Sequence, residues 1–162
     1  MSSFRTRLRG FQEIHGGAPD PGFVADLEFL ENRDLDLSVR IGALLGFNAL
    51  LVTIGTHPVS ASPGAPLSLD AAAQPWMTIA SLLGVAPFVL ASCFALRALL
   101  IGEEFDPARE SAESLRRSLL AAFVRSIDAQ ALLLRRAVLA TAVGGVTTML
   151  VWTWILGAKM FG

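Results

Sequence analysis

Few side chains in this sequence could do chemistry, so their positions matter more than their number. His15 and His57 are the two imidazoles, Cys93 is the lone thiol, and carboxylates cluster at Asp20, Asp26, Glu28, Glu31, Asp34 and Asp36. A histidine pair can hold a metal or haem iron, and neighbouring carboxylates can bind a cation or serve as general acids. The carboxylate cluster lacks the spacing of a ligand loop, however, and reads as a solvated helix face. One cysteine excludes an internal disulfide and a cysteine-rich metal site. No GxxxxGK[ST] phosphate loop, GxSxG elbow or HExxH helix is present. The expectation is a protein with no catalysis, no cofactor and no metal.

Polar residues inside apolar segments carry more information. "DLSVRIGALLGFNALLVTIGTHP" holds Arg40 near its start and Asn48 at its middle. Arg40 has two readings: a basic anchor whose long side chain reaches the membrane surface, or a charge paired with Asp36 at i, i+4 spacing. Arg97 has the same alternatives, and two arginines at one depth could also clamp a phosphate or ring a pore. Asn48 needs a hydrogen-bond partner in an apolar surround, which suits a tie between helices, within one chain or between chains, or the lining of a polar path. Thr53, Ser81, Ser92, Thr141, Thr147 and Thr148 are the candidate partners.

The elements that must position these residues follow from hydropathy. The 162 residues are 53% hydrophobic and 17% charged, with 13 basic and 14 acidic side chains. A mean hydropathy of +0.56 points to the bilayer, and near-neutral charge gives no reason to expect a nucleic-acid partner. Three segments, 38–58, 75–97 and 137–158, are long enough to cross ~30 Å of hydrocarbon. The first apolar run starts only near residue 38, after a charged and polar stretch, so no secretory signal is expected.

Arginines fall in the leader, as Arg5, Arg7, Arg9 and Arg33, and in the 98–136 connector, as Arg109, Arg116, Arg117, Arg125, Arg135 and Arg136. The 59–74 loop has none. Basic flanks stay on the cytoplasmic side, so the N-terminus is expected inside and the tail, 159–162, outside. Trp76, Trp152 and Trp154 then fall at the outer interface, where Lys159 would snorkel. Two charged helices are expected beside the spans. In the leader, 1–37, Phe23, Leu27 and Leu30 form an apolar stripe that continues through Leu37 and Ile41, with an acidic opposite face. In 98–136, Asp106 and Pro107 signal a helix start, and Leu115, Leu119, Phe123 and Ile127 lead on to Leu134 and Val138. The fold class expected is an all-α integral membrane protein of three transmembrane helices with a small cytoplasmic helical cap.

Small residues recur four apart in each span: Gly42 and Gly46, Ala80 and Gly84, Ala91 and Ala95, Ala140 and Gly144, Thr141 and Gly145. Such pairs let helix backbones approach closely, within or between chains. Pro87 is expected to bend the second span.

The order of parts, with "DLSVRIGALLGFN" opening the first span and "LLRRAVLATAVGG" the third, resembles the small transmembrane effectors of bacterial nucleotide-signalled antiphage systems. These are the Pycsar transmembrane effector family and related SLATT-type domains. Asp36, Arg40 and Asn48 match that family's aspartate, basic residue and asparagine, although an arginine stands where lysine is more usual. Arg135 and Arg136 match the basic approach to the last span. The resemblance implies a protein that answers a nucleotide second messenger by oligomerising and impairing the bacterial inner membrane. Twelve arginines to one lysine also suit a GC-rich bacterial genome. The alternative is an accessory or assembly subunit of a larger membrane complex, with unlike membrane subunits rather than identical copies as partners. In both cases membrane lipid is the surround.

Overall fold

The structure is a computed structural model that describes residues 20–101 and 112–161, without the side chains of 112–115. It is all-helical, with no strand among the described residues. We number the helices α1, Pro21–Gly55; α2, His57–Ser60; α3, Pro75–Leu99; and α4, Ala112–Phe161. α1, α3 and α4 are each long and apolar enough to cross a membrane. α1 and α4 have 35 and 50 residues, so each extends the expected apolar segment with a charged helical portion. His15, Asp106, Pro107 and Arg109 lie outside the described residues, as does the side chain of Leu115.

Two compact units divide the chain. The first takes the described parts of Met1–Arg40 and Ala98–Leu132; the second is Ile41–Arg97 with Leu133–Gly162 up to the last described residue. In the first unit, Phe23, Leu27 and Leu37 of α1 and Ala122, Phe123 and Ile127 of α4 are buried. The α1 positions Phe23, Leu27, Leu30, Asp34 and Leu37 alternate steps of four and three, the seam of two helices packed knobs-into-holes. Asp20 meets Arg116, and Asp34, 14 residues on, meets Gln130, also 14 residues on. A constant offset over four turns means that α1 and α4 run parallel here.

The stripe expected on α4 departs from the observed one after Ile127. Leu133 and Ala137 are buried where Leu134 and Val138 were expected, and Val138 is exposed. Successive steps of four residues advance about 40° beyond a full turn, so a straight stripe must include steps of three. The outer face of α1 also differs from the expectation of a purely acidic surface. Phe29, Leu35 and Val39 are exposed between the charges, and Asp34 lies on the inner seam, half-buried.

In the second unit, Asn48 of α1 faces Thr141 of α4, and Gly55 faces Thr148 one heptad later, so these helices are parallel. On α3, Phe88 faces Gly144 and Gly84 faces Thr148, so α3 runs antiparallel to α4. Ile41, Val85, Phe88, Ala91, Ala95, Ala137 and Ile155 fill the space between the three. α3 continues through Pro87 to Leu99.

Candidate functional site

The interior of the second unit is where the polar and small residues singled out by sequence converge. Asn48 is fully buried, and its Oδ1 accepts a hydrogen bond from Thr141 Oγ1 at 2.9 Å. The same hydroxyl is 2.9 Å from the Ala137 carbonyl, one turn back on its own helix. A hydroxyl has one proton, so the two oxygens compete for it. A half-turn of the amide would let Nδ2 donate to Thr141 Oγ1 while the hydroxyl serves Ala137. As placed, Nδ2 has no partner. Of the other candidate partners, Ser81 Oγ is buried without a bond, and Thr53 and Ser92 bond their own helices.

Thr148 donates to the Gly84 carbonyl at 3.2 Å, and Thr147 Oγ1 lies at the same distance from it, with the Val143 and Gly144 carbonyls of its own helix at 3.0 and 3.1 Å competing for its one proton. That carbonyl lies on the turn before Pro87, and threonine hydroxyls from a neighbouring helix commonly supply backbone groups near such a proline. A Cβ at Gly84 would sit 3.7 Å from the Thr148 backbone, an ordinary van der Waals contact, so the approach leaves room for a methyl there. The tightest fit is at Gly144, where a Cβ would lie 2.6 Å from the Phe88 ring. Gly55 has a similar notch, filled by Val85 Cγ2 at 2.7 Å. Nothing in the four-residue spacing singled out Phe88 or Gly55. The signal available was a bulky side chain on α3 opposite a glycine, legible only once the antiparallel register is known.

The small residues divide between inside and outside. Gly84, Gly144, Ala91 and Ala95 are buried, while Ala80 and Ala140 are half-buried. Gly42, Gly46 and Gly145 meet nothing within 4 Å of an added Cβ. Gly42 and Gly46 lie about 120° and 160° around α1 from Asn48, so this amide and these glycines cannot serve one contact. No protein-family model, curated protein or solved structure matches the chain.

The charges are arranged unit by unit. In the first, Asp36 accepts from Arg40 Nε at 3.0 Å and from Arg33 at 3.4 Å, the former at the i, i+4 spacing expected. All three side chains are substantially exposed, so these pairs contribute only a few tenths of a kcal/mol each, about 0.3–0.5. Arg116 donates to Asp20 at 2.7 Å and lies 5.0 Å from the centre of the Phe23 ring. That bond, with the backbone amide of Gly22, holds the Asp20 carboxyl below its usual value. Gln130, buried and absent from the sequence argument, donates to Asp34 at 3.0 Å. A glutamine at a seam position of a charged helix was the signal missed.

In the second unit Lys159 is exposed at the end of α4. Its Nζ donates to the carbonyls of Ser68 and Ala65, the latter at 3.3 Å, and so ties the end of α4 to the 61–74 connector. Trp76 and Trp154 are exposed, but Trp152 is turned inward with its Nε1 buried and unpartnered. Arg97, Arg135 and Arg136 are exposed, and the structure brings none of them to Asn48. Among the described residues no group of three His, Cys, Asp or Glu side chains could hold a metal; His57 is exposed.

Proposed function

We propose that this chain is a non-enzymatic protein of the bacterial inner membrane, crossing it three times with its N-terminus inside, that associates with copies of itself and impairs membrane integrity. The observation that carries the reading is the split around α1: Asn48 is bonded within the unit while Gly42 and Gly46 stand open on the other side. An outward glycine pair lets a second helix come close in lipid, where packing rather than apolar burial drives association. Phe88 and Val85 fill the glycine notches of the second unit, which favours leakage between copies over leakage through one. A nucleotide second messenger as the trigger rests on the family resemblance alone.

A second reading, an accessory subunit, is favoured by α3. Its exposed face carries Ile79, Leu82, Leu83, Val89 and Leu90, a bulky surface that suits an unlike subunit as well as lipid. Vesicles loaded with a self-quenched dye separate the two. The effector reading predicts release that rises steeply with protein density and is weakened by Gly46→Leu. Tight vesicles at every density, with unlike chains co-purifying in fixed ratio, would establish the accessory reading instead.

A further inference from the structure

Two rows of the first unit are turned away from its seam. On α1, Ala25, Glu28, Asn32 and Leu35 each stand two residues before a seam position, which places them about 160° around the helix from it. On α4, Ala121, Val124, Asp128 and Ala131 stand in the same relation to Phe123, Ser126, Gln130 and Leu133. All eight are exposed. The outer face of a charged helix is ordinarily polar, yet Leu35 and Val124 in these rows, with Phe29 and Leu132 at their edges, are between 45% and 71% exposed. They lie outside 38–58 and 137–158, the segments expected in hydrocarbon, so lipid does not cover them.

Register says what could. Within the chain, Asp20 meets Arg116 and Asp34 meets Gln130, an offset of 96 residues. Copies inserted in one membrane stand at equal depth, so the same offset sets the level between the α1 of one copy and the α4 of a neighbour. Ala25 then comes level with Ala121, Asn32 with Asp128 and Leu35 with Ala131. Glu28 and Arg125 are one residue apart in level, about 1.5 Å, as are Phe29 and Val124, and Leu35 and Leu132. Glu28, Arg125 and Asp128 have no ion pair among the described residues. Symmetric pairings are less favourable. α1 against α1 sets Glu28 beside Glu28, and α4 against α4 sets Asp128 beside Asp128, so like charges oppose one another.

We infer that the outer face of α1 in one copy packs, parallel, on the outer face of α4 in the next, with Glu28 paired to the next copy's Arg125 and the exposed Phe29 and Leu35 covered by its Val124 and Leu132. Each copy offers α1 on one side and α4 on the other, so association continues past a dimer. The inference rests on the insertion and self-association proposed above and names a surface through which copies meet.

Disulfide trapping in membranes tests it, in a Cys93→Ser background with two differently tagged chains, one carrying Leu35→Cys and the other Ala131→Cys. Oxidation is expected to link the two tags to each other and to leave either chain alone unlinked. One chain carrying both cysteines should give a ladder beyond the dimer. Glu28→Arg in the first chain should lower the mixed yield roughly threefold, and Arg125→Glu in the second should restore it. Linkage of Leu35→Cys chains to one another at the mixed yield would overturn the inference in favour of paired α1 helices. Absence of any mixed link would overturn it outright. Native mass spectrometry of the Cys93→Ser chain reports association separately: a monomer there removes the proposed self-association, whereas a cluster that gives no mixed link removes this inference alone.

Discussion

The Asn48 and Thr141 pair determines how tightly the second unit is specified, because both candidate hydrogen bonds share one hydroxyl. Thr141→Val removes that hydroxyl and leaves the whole Asn48 amide buried without a partner, a cost of about 1–3 kcal/mol. Asn48→Leu removes the needy amide together with the bond. Bonds of this kind within membrane bundles average only ~0.6 kcal/mol, so this change should cost less than the threonine one. Chemical unfolding in detergent should therefore rank Thr141→Val as more destabilising than Asn48→Leu; the reverse order would mean that Asn48 has another partner. Glycines give a matching contrast. Gly144→Ala drives a methyl into the Phe88 ring and should cost about 1–3 kcal/mol, whereas Gly42→Ala meets open space and should gain up to ~1 kcal/mol of helix propensity. The need for a partner at Asn48 was legible in the sequence, as was the spacing of the glycines. Which glycine faces inward was not, since that depends on the rotation of each helix about its axis.

At the scale of helices, the parallel contact of α1 and α4 in the first unit is joined by Asp20 with Arg116 and Asp34 with Gln130. The Asp20 carboxyl is depressed in the folded chain, so its contribution is complete above the unfolded value and is lost as pH falls through the lower folded value. Below about pH 4 the first turn of α1 should lose protection from hydrogen exchange. Asp20→Asn should remove that pH dependence; a variant with the same acid transition would assign it to another carboxylate. At the far end of α4, Lys159→Gln should release the carbonyls of Ala65 and Ser68 and raise exchange in the 61–74 connector, with little change within α3. Hydropathy alone marks three apolar segments; helices long and apolar enough to span cover 75–97 and 137–158 in full and 38–58 as far as Gly55. Apolar periodicity adds that each charged helix runs on into its span, through Leu37 and Ile41 in α1 and through Leu134 and Val138 in α4, and α1 and α4 are continuous there. What it passes over is the polar pair on the seam, Asp34 and Gln130, at positions otherwise apolar.

For the molecule as a whole, composition already implies a lipid surround, and the exposed Leu, Val and Phe side chains on α1, α3 and α4 agree with it. Association is a different matter. One sequence cannot say whether a small-residue pair packs within a chain or between chains, and the structure divides them: Gly84 and Gly144 lie inside, Gly42 and Gly46 outside. In the proposed function the outward pair joins identical copies. The measurement that bears on it most directly is native mass spectrometry of the chain extracted gently from its own membrane, alone and as Gly46→Leu. A cluster of identical 17.2 kDa chains is expected, falling to monomers in the variant with helicity unchanged. A monomer before substitution, fixed stoichiometry with unlike chains, or an undiminished cluster in Gly46→Leu would contradict it.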